Sequence, residues 1–352
     1  MSIDFDKEIQ AHIAVLLSLR RPTGVFTAAA HTVGTGYDKA WLRDNYFMTL
    51  GFLETGDIDT VVKTAKALLS VFVKHKDKIN WAIANKPHET WQYIHARFHP
   101  ETFEEYWEEW GNSQNDAVAE VLYLICDLEL RGHAVAITAE EKEVTQMIID
   151  YLVRVEYWHD ADNGIWEENM EVHASSVGAG VAALKLASQV DWLKVPLVAI
   201  HYGEEALRQL LPRESRTKFA DLALLSLIYP FAVTTKAETD TIIKNVVYHL
   251  TRDRGVIRYK LDRYYNANED GYSEEAEWCF GLSWLAIIYA MRGEKERAWY
   301  YLRQARNTVT SNGEIPELYF SQSPVPNDNT PLGWSESMYI VALQKVKEME
   351  SK

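Results

Sequence analysis

The sequence predicts an all-α protein folded as an (α/α)6 barrel, twelve helices in two concentric rings, in a single domain over residues 1–352. Three observations predict it. Apolar residues recur with helical period along most of the chain, alternate helices are small or apolar on nearly every side, and long links collect between one type of helix and the next.

Period 3.6 places helices near 4–20, 39–55, 57–76, 113–131, 139–157 and 173–189. Six more follow near 191–211, 217–229, 236–250, 274–291, 293–309 and 333–350. Two starts carry capping boxes, Thr138 with Glu141 and Thr235 with Glu238, in which the Thr side chain accepts a first-turn N–H and the Glu reaches back. No run of alternating residues reads as a strand.

The third, fifth, ninth and eleventh helices are amphipathic. In the fifth, Val144, Met147, Ile148, Tyr151, Leu152 and Val155 share one face, as on a helix with one side in water. The sixth (HASSVGAGVAALKLA), eighth (FADLALLSLIYPF) and tenth (WCFGLSWLAIIYA) have no polar face and are expected to be buried on both sides, as an inner ring. The seventh, apolar and carrying Pro196, does not fit the alternation. Links at about 77–112, 158–172, 251–273 and 310–332 are long, and each precedes an inner helix; the opposite links are short, as at Thr55-Gly56 and Arg292. Long loops on one face of a rigid scaffold are where binding and chemistry reside. An open helical array would instead show a fixed-period repeat, and none is found.

Composition narrows the function. A net charge of −15 disfavours nucleic acid and anionic membranes as partners and favours a neutral small molecule. Cys126 and Cys279 lie in apolar stretches and read as buried structural thiols. The first residues, MSIDFDKEIQ, lack an apolar leader, and no stretch of about eighteen apolar residues occurs, so a cytoplasmic location is expected. Twelve tryptophans are many for this length. Trp81, Trp91, Trp107, Trp110, Trp158 and Trp166 sit in polar, loop-like surroundings, either as platforms for the apolar faces of sugar rings or folded back and buried.

Acidic and aromatic residues concentrate in the long links. In Asp162-Asn163-Gly164-Ile165-Trp166-Glu167-Glu168 a turn holds a carboxyl against an indole, where desolvation would keep it protonated near neutrality; a solvated acidic helix start is the competing reading. Glu317, in Ile315-Pro316-Glu317, is a second candidate acid. Arg43-Asp44 behind Trp41 could chelate adjacent hydroxyls or merely cap a helix. Trp110-Gly111-Asn112-Ser113-Gln114-Asn115-Asp116 adds an aromatic and several amide or acid groups. His95 and His99 have metal-compatible spacing but no third ligand, and no HExxH, Walker, dinucleotide or GxSxG motif is present, so neither metal nor organic cofactor is expected.

The ordered series AWLRDN (40–45), HARF (95–98), WGNSQNDA (110–117), DNGIWEE (162–168), HASSVGAGVAAL (173–184) and PLGWSESMYI (331–340) resembles family 15 of the glycoside hydrolases. It is closest to the barrel of the phosphorylase kinase regulatory α and β subunits and their bacterial relatives. The resemblance spans nearly the whole chain and implies the same (α/α)6 barrel. It implies Glu167 as general acid, Glu168 as a substrate contact and Glu317 as general base. Tyr37, Arg43 and Asp44 match positions that hold the non-reducing-end glucose, and Trp110 matches an aromatic near the cleavage point. Trp41, Trp166, Gln114 and Asp116 complete the expected sugar site. Two departures favour the kinase-subunit side: Asn115-Asp116-Ala117 replaces Arg-Asp-Gly, and Leu318 replaces a Gln after the base.

These readings give an exo-acting, inverting α-glucoside hydrolase for small α-gluco-oligosaccharides. The alternative is a non-catalytic glucan-binding or regulatory protein using the same pocket. Linkage, chain length and oligomeric state stay open.

Overall fold

Eleven of the twelve runs with helical period form α-helices, and burial sorts them into two rings. A computed structural model describes residues 3–30, 34–108, 110–265 and 275–351. Residues 266–274, part of the 251–273 link and the first position of the 274–291 helix, lie outside the described residues. Five inner elements are helices: α2 (Leu42–Thr55), α5 (Asn115–Leu130), α7 (Ala174–Ala187), α10 (Phe280–Met291) and α12 (Gly333–Glu350). The sixth is a 3-10 segment, Leu222–Leu227. Each packs on the next in the order α2, α5, α7, 222–227, α10, α12, and α12 returns to α2, closing the ring. Outside them lie α1 (Phe5–Ser18), α3 (Ile58–Lys74), α6 (Ala139–Val155), α8 (Leu197–Leu210), α9 (Lys236–Leu250) and α11 (Lys295–Arg306).

Both capping boxes form as read, at the starts of α6 and α9. Both cysteines are buried and free. The seventh helix, which broke the alternation, is α8 of the outer ring, with Pro196 as its N-cap. Its first apolar residues, Leu197 and Val198, are exposed, which is why its apolar composition does not mark it as an outer helix.

Four local readings need correction. The 217–229 run is not an α-helix but the 3-10 segment: Asp221 caps it by accepting from Ala223 N, and Pro230 lacks the N–H to extend it. A wholly buried apolar run gives no period from which to tell the two apart. The tenth helix begins at Phe280, because Glu277–Trp278 is a short strand, β3, paired with β4 (Leu318–Tyr319). Ala40–Trp41, expected as helix, is strand β1, paired with β2 (Arg97–Phe98). Finally, the 77–112 link contains a further helix, α4 (Lys76–Asn85), whose buried face is only Ile79 and Ala82, too little to show as a period.

Small residues let the rings close. On α7, a Cβ at Gly180 would stand 2.4 Å from the Tyr157 ring, and on α8 a Cβ at Gly203 would stand 2.1 Å from the Tyr157 hydroxyl. The ring is thus clamped between two helices, with its hydroxyl donating to Ala199 O at 3.0 Å. Gly180→Val should therefore destabilise the protein by about 1–3 kcal/mol through overpacking, read as a lower melting temperature. An unchanged melting temperature would show that Tyr157 can move aside.

Candidate active site

The segments that lead into the inner elements gather at one end of the barrel and build a cavity there. It is lined by Ala28, Tyr37, Trp41, Arg43 and Asp44 around the start of α2, and by Ile165, Trp166 and Glu167 before α7. Arg258, Tyr264, Trp278 and Phe280 join from around the start of α10, and Glu317, Leu332 and Trp334 from around the start of α12. In the ring order α7 and α12 lie three places apart, so Glu167 and Glu317 enter from opposite sides.

Aromatic packing makes the wall rigid. Phe280 and Trp334 stack with centroids 4.5 Å apart and an interplanar angle of 4°, and Trp166 stacks beside both. The Trp166 indole is fixed by donating to Asp221 Oδ1 at 2.8 Å. The indole nitrogens of Trp278 and Trp334 are buried and have no partner among the described residues.

Glu167 sits at φ 61°, a left-handed conformation that costs a non-glycine residue energy and is held by the turn around it. Asp162 fastens that turn to α5, accepting from Asn115 N at 2.9 Å and Gly164 N at 3.2 Å. The preceding Gly164 also has positive φ, and a Cβ there would meet the His173 ring at 2.7 Å, so no larger residue fits. Burial pushes the Glu167 carboxyl up to about 7, against the pull of the Arg43 guanidinium. Arg43 Nη2 donates to Glu167 Oε1 at 2.9 Å, and no hydrogen bond among the described residues engages Oε2.

Glu317 is more deeply buried and differently held. Its Oε2 accepts from Asn327 at 2.6 Å and Asn329 at 2.7 Å, and its Oε1 accepts from the Tyr37 hydroxyl at 3.0 Å. Burial raises this carboxyl to about 7 as well, while the three donors favour its ionised form. Tyr37 remains the donor, since burial and the nearby Glu317 charge push its own pKa far up.

Asp44 lines the cavity, and no side-chain hydrogen bond among the described residues engages it. Burial raises it to about 6, against Arg43.

The structure thus brings Tyr37, Trp41, Arg43, Asp44, Trp166, Glu167 and Glu317 to one cavity wall. Four other expected contacts stand behind it. Gln114 and Asp116 hold Arg43, which donates to Gln114 Oε1 at 3.0 Å and Asp116 Oδ2 at 2.7 Å. Trp110 has Arg97 3.9 Å over its ring, with His95 and Trp41 packed around it, so it backs Trp41 rather than facing the cavity. Glu168 turns away toward Arg258 (2.6 Å), Lys218 (3.1 Å) and the Tyr259 hydroxyl (2.5 Å). Burial would raise it, but these three partners hold it below the ordinary carboxylate range.

The model of the glycosyl hydrolases family 15 matches residues 7–194, more than half of the chain. The chain belongs to glycosyl hydrolase family 15. Among curated relatives, the phosphorylase b kinase regulatory subunit alpha of Oryctolagus cuniculus is 26% identical over 87% of this chain. The match covers 30% of that subunit, so the chain spans about a third of the length of such relatives. Among solved structures, a glycosidase in complex with glucose superposes with a TM-score of 0.82 at 19% identity, over 97% of both chains. A bacterial glucoamylase complexed with acarbose gives 0.73 at 15% identity, over 99% of this chain and 57% of that one. At such identities the likeness is one of fold.

Several residues that build the site of this family 15 chain are not signalled by its sequence. Arg258 lies in a charged stretch that reads as surface, yet it is buried and paired with Asp262, its Nε 2.7 Å from Oδ2. Asn327 and Asn329 follow Glu317 by ten and twelve residues, a Pro-bounded pair whose return to that carboxylate only the folded loop reveals. Leu318, where the family has a polar residue, is fully buried in β4, facing away from the cavity that Glu317 lines.

Proposed function

We propose that this chain is an exo-acting, inverting α-glucoside hydrolase for small α-gluco-oligosaccharides. The observation that carries the reading is the pair of carboxyls, Glu167 and Glu317, facing one aromatic-walled cavity from opposite sides with unlike partners. Hydrolysis with inversion needs a proton given to the leaving oxygen on one face and a water deprotonated on the other. Glu167, with a single donor and one unengaged oxygen among the described residues, is suited to carry the proton. Glu317, accepting three hydrogen bonds, is suited to stay ionised and take one from water.

Arg43 and Asp44 sit side by side on the wall and offer a donor and an acceptor to neighbouring hydroxyls of the terminal sugar. The stacked rings of Trp166, Phe280 and Trp334 supply apolar surface for its C–H faces. Glu168 fixes Arg258, a residue of the cavity wall. A cavity at one end of the barrel, lined from around the starts of four inner helices, suits removal of one unit from a chain end.

Hydrolysis trials on maltose, isomaltose, nigerose, trehalose and dextrins test this. Glucose release from at least one is expected, with activity falling on both sides of about pH 7. Glu317 must be ionised and sets the acidic limb; Glu167 must be protonated and sets the alkaline one. The likeness to a kinase regulatory subunit favours a second reading, a glucan sensor without turnover. Binding of these sugars without hydrolysis would select it.

A further inference from the structure

The backbone that carries Glu317 is fastened from two inner helices. Glu317 N donates to Asn329 O, and Cys279 N, at the start of α10, donates to Glu317 O, both at 3.0 Å. Two residues earlier, the start of α12 holds both polar groups of buried Ile315. Leu332 N donates to Ile315 O at 3.0 Å, and Ile315 N donates to Glu336 Oε1 at 2.6 Å. Pro316, between the two anchors, has its φ fixed by its ring.

The Ile315 N–H is the only one of these four bonds whose acceptor is a side chain, and that side chain is itself held from the outer ring. Glu336, in the segment PLGWSESMYI, is inaccessible to water and does not line the cavity. Its second oxygen, Oε2, lies 2.5 Å from Nδ1 of His12, which is buried on α1. The imidazole meets the Tyr339 ring edge-on, with centroids 4.9 Å apart and an interplanar angle of 82°. The Tyr339 hydroxyl in turn donates to Glu8, which also pairs with Arg306 of α11 at 3.0 Å. Packing α1 on α12 does not by itself call for a buried acid and base, because a well-fitted apolar pair serves helix packing as well or better. A buried backbone N–H at Ile315 does call for an acceptor.

We propose that Glu336, oriented by His12, is a positioning residue for the general base: through Ile315 it holds the Glu317 carboxyl where it can activate water. The proposal rests on the reading of Glu317 as that base. It makes α1, none of whose residues lines the cavity, part of what sets kcat. Misplacing a reacting group by about 1 Å can cost about 10²-fold in rate, so a loosened anchor should be visible in turnover.

The test is a double-mutant cycle on kcat, using the whole chain and a glucoside that the wild type cleaves. Glu336→Leu should lower kcat at least about tenfold and leave KM within about twofold. Glu336→Gln, whose amide oxygen can still accept from Ile315 N, should keep most of the rate. In a Glu317→Gln background, Glu336→Leu should cost less than about a further twofold, because the group it positions is already disabled. In a Glu167→Gln background it should cost its full factor, at least about tenfold. If Glu336→Leu does not fold, His12→Leu takes its place in the cycle, and His12→Asn, which keeps a nitrogen near the Nδ1 position, serves as the conservative variant. A merely structural pair would lower kcat alike in all three backgrounds. That result, an unchanged kcat in the wild-type background, or a conservative variant as slow as the leucine one overturns the proposal. Where the wild type hydrolyses a glucoside, these outcomes strike the anchor alone. If it hydrolyses none, the hydrolase reading fails and the proposal fails with it.

Discussion

Glu167→Gln is expected to lower kcat at least about 10²-fold while sugar binding survives, because Gln keeps the shape and cannot donate the proton. Glu317→Gln is expected to cost at least as much, because an amide cannot take a proton from water. The two losses should differ in a way that assigns the roles. A glucoside whose leaving group is an acidic phenol needs little protonation, so it should restore much of the Glu167→Gln rate and none of the Glu317→Gln rate. The pH profiles should split likewise. Loss of Glu167 removes the alkaline limb and loss of Glu317 the acidic one, since each carboxyl is raised to about 7 by burial and titrates within the working range. Steady-state kinetics on both substrate types checks this, and equal rescue of both variants would contradict the assignment.

Arg43→Met is expected to destabilise the fold by about 3–5 kcal/mol, the range for removing one partner of a buried ion pair. Arg43 and Asp116 are each nearly inaccessible to water, and Arg43 donates to Asp116, Gln114 and Glu167 together. Methionine fills much of the same volume but leaves the Asp116 carboxylate buried without its counter-charge. A second effect follows from the same loss. The guanidinium is the largest influence lowering the Glu167 pKa, so its removal must raise that pKa and move any alkaline limb to higher pH. Thermal unfolding reads the first effect and the pH profile of residual activity the second. A variant as stable as wild type would show that Asp116 finds another partner.

The fold was legible because two periodic signals agreed. One-faced helices such as α6 alternated with helices lacking a polar face, such as α7 and α10, and buried residues follow that division. Legibility failed where the period carried no information: in the wholly buried 222–227 run, in α4 with its two buried positions, and in α8, whose exposed Leu197 and Val198 mimic a core. At the site, residues in short motifs beside inner helices were readable, among them Arg43, Asp44 and Glu167. What could not be read was depth. Asp116 and Gln114 share a motif type with the wall residues, yet each turns an oxygen to Arg43 and neither lines the cavity. Trp110 was expected as a sugar platform, and only the fold shows Arg97 covering its ring. Arg258 and the two asparagines reach the site through long-range loop packing that leaves no local mark.

The central claim is that water attacks from the Glu317 side while Glu167 protonates the opposite face. NMR of a fresh hydrolysate tests it most directly. An α-glucoside cleaved this way must release β-glucose first, visible at its anomeric proton before mutarotation; α-glucose as the first product would contradict inversion and the roles assigned to both carboxyls.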